Sequence, residues 1–462
     1  MVSSGPHVKI AIKNRAACTL LLWAAGLFLQ TTAFAAIPVQ HWTQASGAKV
    51  YLVESPAIAM VDVQLDFDAG SRRVAAGQAG LAGVTAALLS KGVAAKEGAL
   101  ALDENALGEA WADLGAQFGA SAGTDRFSFS LRSLSEPDLL AQAVQLAARQ
   151  IAEPAFPADA WQRDRQRLVA QLKESYTRPA SVAAREFAKT VYGSHPYGHE
   201  VNEATLARIS VADMQAFHAA HITRCNARVS IVGALTRMQA DALVAGLLSR
   251  LPPIDCAAAP PLPAVPEVAP LERAQLLRIP FDSAQAHVLM GQPGFKRNDP
   301  DFFALTVGNY ILGGGGFVSR LTEEVREKRG LSYSVYSYFA PGLHAGAFTL
   351  GLQTRPDQAA QAVRVARDVV AKFVAEGPTQ AELKAAKDNL IGGFPLLIDS
   401  NRKLLGNLAN IAWNDLPLDY LETWTQQVEK VRVADIKAAF ARKLQPEKMV
   451  TVVVGGDKST PL

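Results

Sequence analysis

The sequence predicts an α+β protein of two tandem halves, each a mostly antiparallel sheet covered by helices. Three observations point there: a proline-rich segment near the middle, a short pattern that recurs at a fixed offset, and half-apolar strands mixed with amphipathic helices. At 462 residues, 49% of them hydrophobic and 19% charged, the chain is of ordinary globular composition and too long for one core.

The dividing segment is Leu251 to Leu271 (LPPIDCAAAPPLPAVPEVAPL). Its prolines favour extended backbone and exclude helix interiors, so it reads as an interdomain linker. The boundaries are then 1–35 for an export signal, 36–250 for the first domain, 251–271 for the linker and 272–462 for the second domain. The recurring pattern is Val211-Ala-Asp-Met214, which returns as Val433-Ala-Asp-Ile436. At the same offset Gly233 matches Gly455, each closing a β-branched run, and Asp213 and Asp435 are placed as early helix acids or caps. A looser match pairs Phe127-Ser-Phe-Ser-Leu131 with Phe348-Thr-Leu-Gly-Leu352. Val61, Val63, Leu65 and Phe67 alternate with polar residues, as in a half-buried strand, and Leu139 to Ile151 repeats apolar residues at helical spacing. One polar strand face suggests sheets covered on one side, with the halves facing one another across a cleft or chamber.

The first residues read as a cleavable secretory signal. Lys9, Lys13 and Arg15 precede the apolar stretch Ala16 to Gln30, and Ala33-Phe34-Ala35 supplies small residues for cleavage. The stretch falls short of the roughly 20 apolar residues a membrane span needs. The expected location is the periplasm, with no membrane association after cleavage. Removing those three cations from the 46 basic residues leaves 43, equal to the 43 acids, so nothing in the charge argues for nucleic acid. Of the cysteines only Cys225 and Cys256 remain, either as one disulfide or as two free thiols.

The most informative stretch runs from Asn309 through Gly313-Gly314-Gly315-Gly316 to Arg326-Glu-Lys-Arg-Gly330-Leu-Ser-Tyr333. Phe317, Leu321 and Val325 recur every four residues, predicting a helix with one buried stripe. Gly330 would stop it, and Leu331, Tyr333 and Val335 would alternate along a strand. The glycine run is not a phosphate loop, because it lacks the Gly-Lys-Ser/Thr ending.

A glycine run opening a helix, then R-E-K-R-G-L-x-Y entering a strand, resembles the second-domain signature of the pitrilysin/insulinase/mitochondrial-processing-peptidase family. The resemblance extends over essentially all of residues 37–460, and it implies two homologous α/β-roll domains. It also implies that Arg326 and Tyr333 contact a substrate peptide and help stabilise the oxyanion, and that Gly313 to Gly316 line the substrate chamber. A guanidinium and a phenol can both donate hydrogen bonds to charge developing on a scissile carbonyl.

Active members of that family carry H-x-x-E-H on a helix of the first domain. The matching positions here are Gly83, Ala86 and Ala87, none of which binds metal or accepts a proton. Val169 to Leu172 stands where a supporting Glu is usual, and no H-x-x-E-H or H-E-x-x-H occurs anywhere. His195-Pro-Tyr-Gly-His199-Glu200 reads as a turn, and His218 and His221 as packed or surface residues rather than ligands. The resemblance therefore implies a chain that binds no cofactor itself. It would be inactive alone, and would pair as a heterodimer with a zinc-bearing H-x-x-E-H homologue to cut peptides. The alternative is a non-catalytic peptide-binding or scaffold protein of the same fold.

Overall fold

The computed structural model describes residues 37–456 apart from Glu97; the expected signal, 1–35, lies outside the described residues. The first half contains β1 (Gln40–Thr43), β2 (Lys49–Glu54), β3 (Met60–Phe67), a small ribbon of β4 (Gly92–Val93) and β5 (Leu102–Asp103), β6 (Gln117–Ala122), β7 (Phe127–Leu134) and β8 (Ala227–Gly233). The second contains β9 (Gln275–Ile279), β10 (Ala286–Phe295), β11 (Val335–Phe339), β12 (Gly346–Thr354) and β13 (Val450–Val454).

The large sheets run β1-β2-β8-β3-β7-β6 and β11-β12-β10-β13-β9. Leaving aside β1, the order β2-β8-β3-β7-β6 repeats as β9-β13-β10-β12-β11. In each copy the opening strand lies parallel to the closing one (β2 with β8, β9 with β13) and every other pairing is antiparallel. The duplication is thus a duplication of topology. Asp213 and Asp435 occupy the same capping position, accepting the backbone N–H of Ser210 at 2.8 Å and of Arg432 at 2.9 Å. Gly233 and Gly455 both close their strands at positive φ, 158° and 136°.

On its first face the N-terminal sheet is sealed as its alternation demands. Val61, Val63, Leu65 and Phe67 are fully buried with Phe127, Phe129 and Ile231, under helices that include Pro137–Ala152 and Arg237–Leu248. Its polar face is covered too, against expectation. The helix Asn401–Trp413, from the other half, lies across β3 and β8. Arg126 and Arg228 hold its end: Arg126 donates to the Ala409 carbonyl, Arg228 to those of Ala412 and Trp413, and both guanidinium groups lie over the Trp413 ring. Cations at a helix C-terminus satisfy its orphan carbonyls and complement its dipole. Asp66, 1% exposed, accepts from Arg126 and Ser128 beneath it, and burial holds its carboxyl above the usual carboxylate range even so.

The exchange is reciprocal. The helix Pro179–Tyr192 of the first half covers the second sheet, where Val182, Ala183, Phe187 and Val191 pack with Ala347, Val450, Val452 and Val454. The described residues from Pro38 onward therefore form one compact unit. The halves meet along a seam that holds a cavity of about 320 Å³ between Phe187 and Tyr192 of the covering helix and Tyr336 and Thr349 of the second sheet, and one of about 400 Å³ bounded by Asp125, Tyr197, Gly342 and Trp413.

The linker follows this seam. Residues 252–274 hold no regular element. A disulfide joins Cys225 to Cys256, with Cα atoms 5.4 Å apart; Arg73 donates to the Pro263 carbonyl and His195 to that of Pro266, at 2.9 Å. Among the described residues no helix is long and apolar enough to cross a membrane.

Candidate functional site

The glycine-rich stretch of the second half begins where the helix Phe302–Asn309 loosens into a π-helical turn, Tyr310–Gly314. Gly313 presses on the outer edge of β11: a Cβ there would lie 2.4 Å from Ser337 Oγ and 2.6 Å from its backbone nitrogen. Asn309 completes the cover, donating to the Ser337 carbonyl at 3.0 Å and accepting from its hydroxyl at 2.8 Å. The first glycine of the run thus shields a sheet edge, which needs such cover. Gly314 and Gly315 back onto Asn309 and Tyr310, and Gly316 sits at φ 61° with open space where a side chain would be.

A tight turn follows. Buried Ser319 donates its hydroxyl to the Gly316 carbonyl at 2.7 Å. The turn interrupts the register before the next helical segment starts at Arg320. Leu321 and Val325 are fully buried as expected, but Phe317 stands outside their stripe and is 72% exposed. The segment is π-helical over Thr322–Glu327 and anchored by Arg320, which pairs with Glu382 through Nε at 2.6 Å and Nη2 at 2.8 Å. Burial pushes the Glu382 carboxyl up, but Arg320 and the Thr379 cap more than offset it and leave it at about 2.

Gly330, at φ 60°, reverses the chain after Arg326. Leu331 and Ser332 turn inward, the Ser332 hydroxyl bonding to the carbonyls of Ser334 and Gln353 at 2.7 Å. Tyr333 does not join the expected alternation. It precedes β11 and is 81% exposed, because both its neighbours toward the helix are the ones that anchor. The outcome is a surface stack: the Arg326 guanidinium lies 4.6 Å from the Tyr333 ring centroid and 4.7 Å from that of Phe317, with its Nε 3.2 Å from Glu327. The structure brings Arg326 and Tyr333 together at the surface. Phe317 is the member the sequence reading assigned elsewhere; its only signal was an aromatic directly after a glycine.

The positions matching the zinc motif in the first half carry no metal donor. Gly83, Ala86 and Ala87 lie on the helix Leu81–Leu88, with Gly83 and Ala87 exposed and Ala86 buried. A Cβ at Gly83 would meet nothing within 4 Å. No group of three His, Cys, Asp or Glu side chains able to hold a metal occurs among the described residues, so the residues present do not fit zinc. His195 is held by its neighbours: Nε2 donates to Pro266, and Nδ1 accepts from the Tyr197 N–H at 3.1 Å. Tyr197 donates to Asp125 at 2.6 Å, and Glu200 lies 3.4 Å from Arg185. His218 donates to the Ile151 carbonyl at 2.8 Å, and burial lowers its imidazole to about 4. His221 bonds the Phe217 carbonyl on its own helix.

Two family models match in sequence. Residues 49–205 match the one described as "Insulinase (Peptidase family M16)" and residues 208–390 the one described as "Peptidase M16 inactive domain". A crystal structure titled as a peptidase M16 inactive domain, from Pseudomonas fluorescens, is 37% identical and superposes with a TM-score of 0.85, covering 92% of this chain and 99% of that one. The chain belongs to the M16, or insulinase, peptidase family.

Among other relatives of this M16 chain, an uncharacterised zinc protease of Mycobacterium tuberculosis is 27% identical over 91% of this chain and 94% of its own length. A Helicobacter pylori protein named as a non-peptidase homolog is 33% identical over 38% of this chain and 41% of its own. The periplasmic protease PqqL of Escherichia coli shares the fold, with a TM-score of 0.77 at 19% identity, covering 91% of this chain and 46% of that one.

Proposed function

We propose that this M16 chain is the zinc-motif-less subunit of a two-chain periplasmic metallopeptidase. It contributes substrate binding and oxyanion stabilisation to peptide hydrolysis at the zinc of an H-x-x-E-H partner. The observation that carries the reading is an asymmetry. Arg326 and Tyr333 stand side by side at the surface, with only the Arg326 Nε beside a described carboxylate, that of Glu327, while positions 83, 86 and 87 offer no metal donor.

The chemistry follows from the side chains. As an amide carbonyl becomes tetrahedral its oxygen gains negative charge. The Arg326 guanidinium and the Tyr333 hydroxyl can each donate to that oxygen or to the adjoining peptide backbone, contacts that strengthen as the charge grows. The zinc and its activated water would come wholly from the partner, and the exposed members of the Gly313–Gly316 run would let the peptide backbone pass close.

Purified alone, the chain should neither retain zinc nor cut peptides. Mixed with an exported H-x-x-E-H partner, it should give chelator-sensitive cleavage; robust activity from the isolated chain ends the reading. In the complex, Arg326→Ala should lower kcat/KM by more than about tenfold, the loss expected of one charged oxyanion donor. The second reading, a non-catalytic peptide-binding or scaffold protein, draws support from the relative named as a non-peptidase homolog. It predicts a complex that forms normally and cleaves equally well with Arg326→Ala or Tyr333→Phe.

A further inference from the structure

We infer that Phe317 is a positioning residue for the site. It holds the Arg326 guanidinium against Tyr333 in the plane in which its donors face outward. The inference rests on the proposed role of Arg326 and adds a residue to which no role has been given.

Phe317 does no packing work in the core. It is 72% exposed, as is Val318 beside it, in a protein that fully buries Phe67, Phe127, Phe129, Phe348, Phe373 and Phe440. Its described ring contact is Arg326, whose guanidinium lies 4.7 Å from the Phe317 ring centroid and 4.6 Å from that of Tyr333. The turn is rigid: buried Ser319 bonds back to Gly316 through both its hydroxyl, at 2.7 Å, and its backbone N–H, at 3.1 Å. Gly316, at φ 61°, sets the direction in which Phe317 leaves it.

The stack solves a problem of alternatives. Arg326 sits among Glu323, Glu324 and Glu327. Glu324 is taken up by Lys328 at 2.7 Å and Arg329 at 2.6 Å, and Lys328 also reaches Glu323 at 2.9 Å. Glu327 remains, already 3.2 Å from Arg326 Nε. Without both rings beside it the long side chain is free to fold fully onto that carboxylate and withdraw its donors. A guanidinium held over two ring faces is restrained in its orientation, which keeps its remaining N–H groups available to a ligand arriving edge-on. The ordering is present before substrate binds, so less of it is lost at that step.

The test uses two readouts. In the isolated full-length protein with ¹⁵N-labelled arginine, the Arg326 Nε–H resonance, identified by its loss in Arg326→Ala, should carry an upfield ring-current shift. Phe317→Leu should move that resonance downfield, Phe317→Tyr should restore it, and Val318→Ala should leave it in place. In the reconstituted complex, cleaving a quenched fluorescent peptide, Phe317→Leu should lower kcat/KM by about two- to five-fold, the loss expected of one exposed cation–π contact. Phe317→Tyr should recover the rate, and Phe317→Leu should add nothing to Arg326→Ala. An unmoved resonance in Phe317→Leu overturns the inference. So does a normal rate in Phe317→Leu when Arg326→Ala is impaired, an outcome that leaves the proposed function standing. A normal rate in Arg326→Ala sinks that function, and this inference with it.

Discussion

The two places where the halves exchange helices share a topology but are built from different chemistry. The helix Pro179–Tyr192 covers the second sheet with Phe187 and valines against valines, a seam of apolar burial with one hydrogen bond at its end, from the Ala347 N–H to the Tyr192 hydroxyl at 2.9 Å. The helix Asn401–Trp413 covers the first sheet over Asp66, Gln64 and Ser128, with Arg126 and Arg228 tied to its last carbonyls. An apolar seam tolerates small slips, whereas arginine forks over fixed carbonyls admit one register. The difference teaches that duplicated halves need not be held by duplicated interactions: one seam supplies adhesion and the other alignment.

The apolar seam should be the more sensitive to truncation. Phe187→Ala is expected to destabilise the whole chain by about 3–5 kcal/mol, the usual cost of deleting a buried phenylalanine. Urea unfolding checks it, and two separated transitions would show that the halves do not depend on one another. Acid should separate the halves next. His218, in the first half, has its imidazole lowered to about 4 by burial, so the unfolded chain takes up a proton first. Its contribution is complete above about pH 6.5 and is lost as pH falls toward 4, an effect of up to about 3 kcal/mol. Glu382, in the second half, is held at about 2, so its contribution is present above about pH 4.5 and is lost only below that. A stability profile against pH should therefore fall between 6.5 and 4 and flatten over that range in His218→Gln. The smallest effect belongs to the aligning seam. Arg228→Met keeps the stem but loses the carbonyl bonds, and should cost about 1–2 kcal/mol.

Local signals in the sequence survived into the structure. Gly330 stops its helix at positive φ, Asp213 and Asp435 cap equivalent helices, and the match of Phe127–Leu131 with Phe348–Leu352 marks corresponding strands β7 and β12. Each depends on a few adjacent residues. The covered polar face was not legible, because the apolar stripe of a helix announces that it will be buried and not which sheet will bury it. The same ambiguity misplaced Phe317: a spacing of four fits a helical stripe until a turn pinned by Ser319 resets the register. Tyr333 fitted strand alternation for want of knowing that Ser332 would turn inward to Gln353. Gly313 carried the signal of a loop open to ligand, while the structure uses it to cover a strand edge.

The reciprocal helices also set an order of events for a chain made from its N-terminus. The first sheet can form once β8 has emerged, yet its charged face waits for residues 401–413. The second sheet lacks β13, the strand between β10 and β9, until residues 450–454 arrive, with β9 left unpaired beyond the gap. Neither half matures by itself, so nearly the entire polypeptide must be threaded out and kept from aggregating before the final closure, and cutting away the last stretch undoes both ends of the molecule at once.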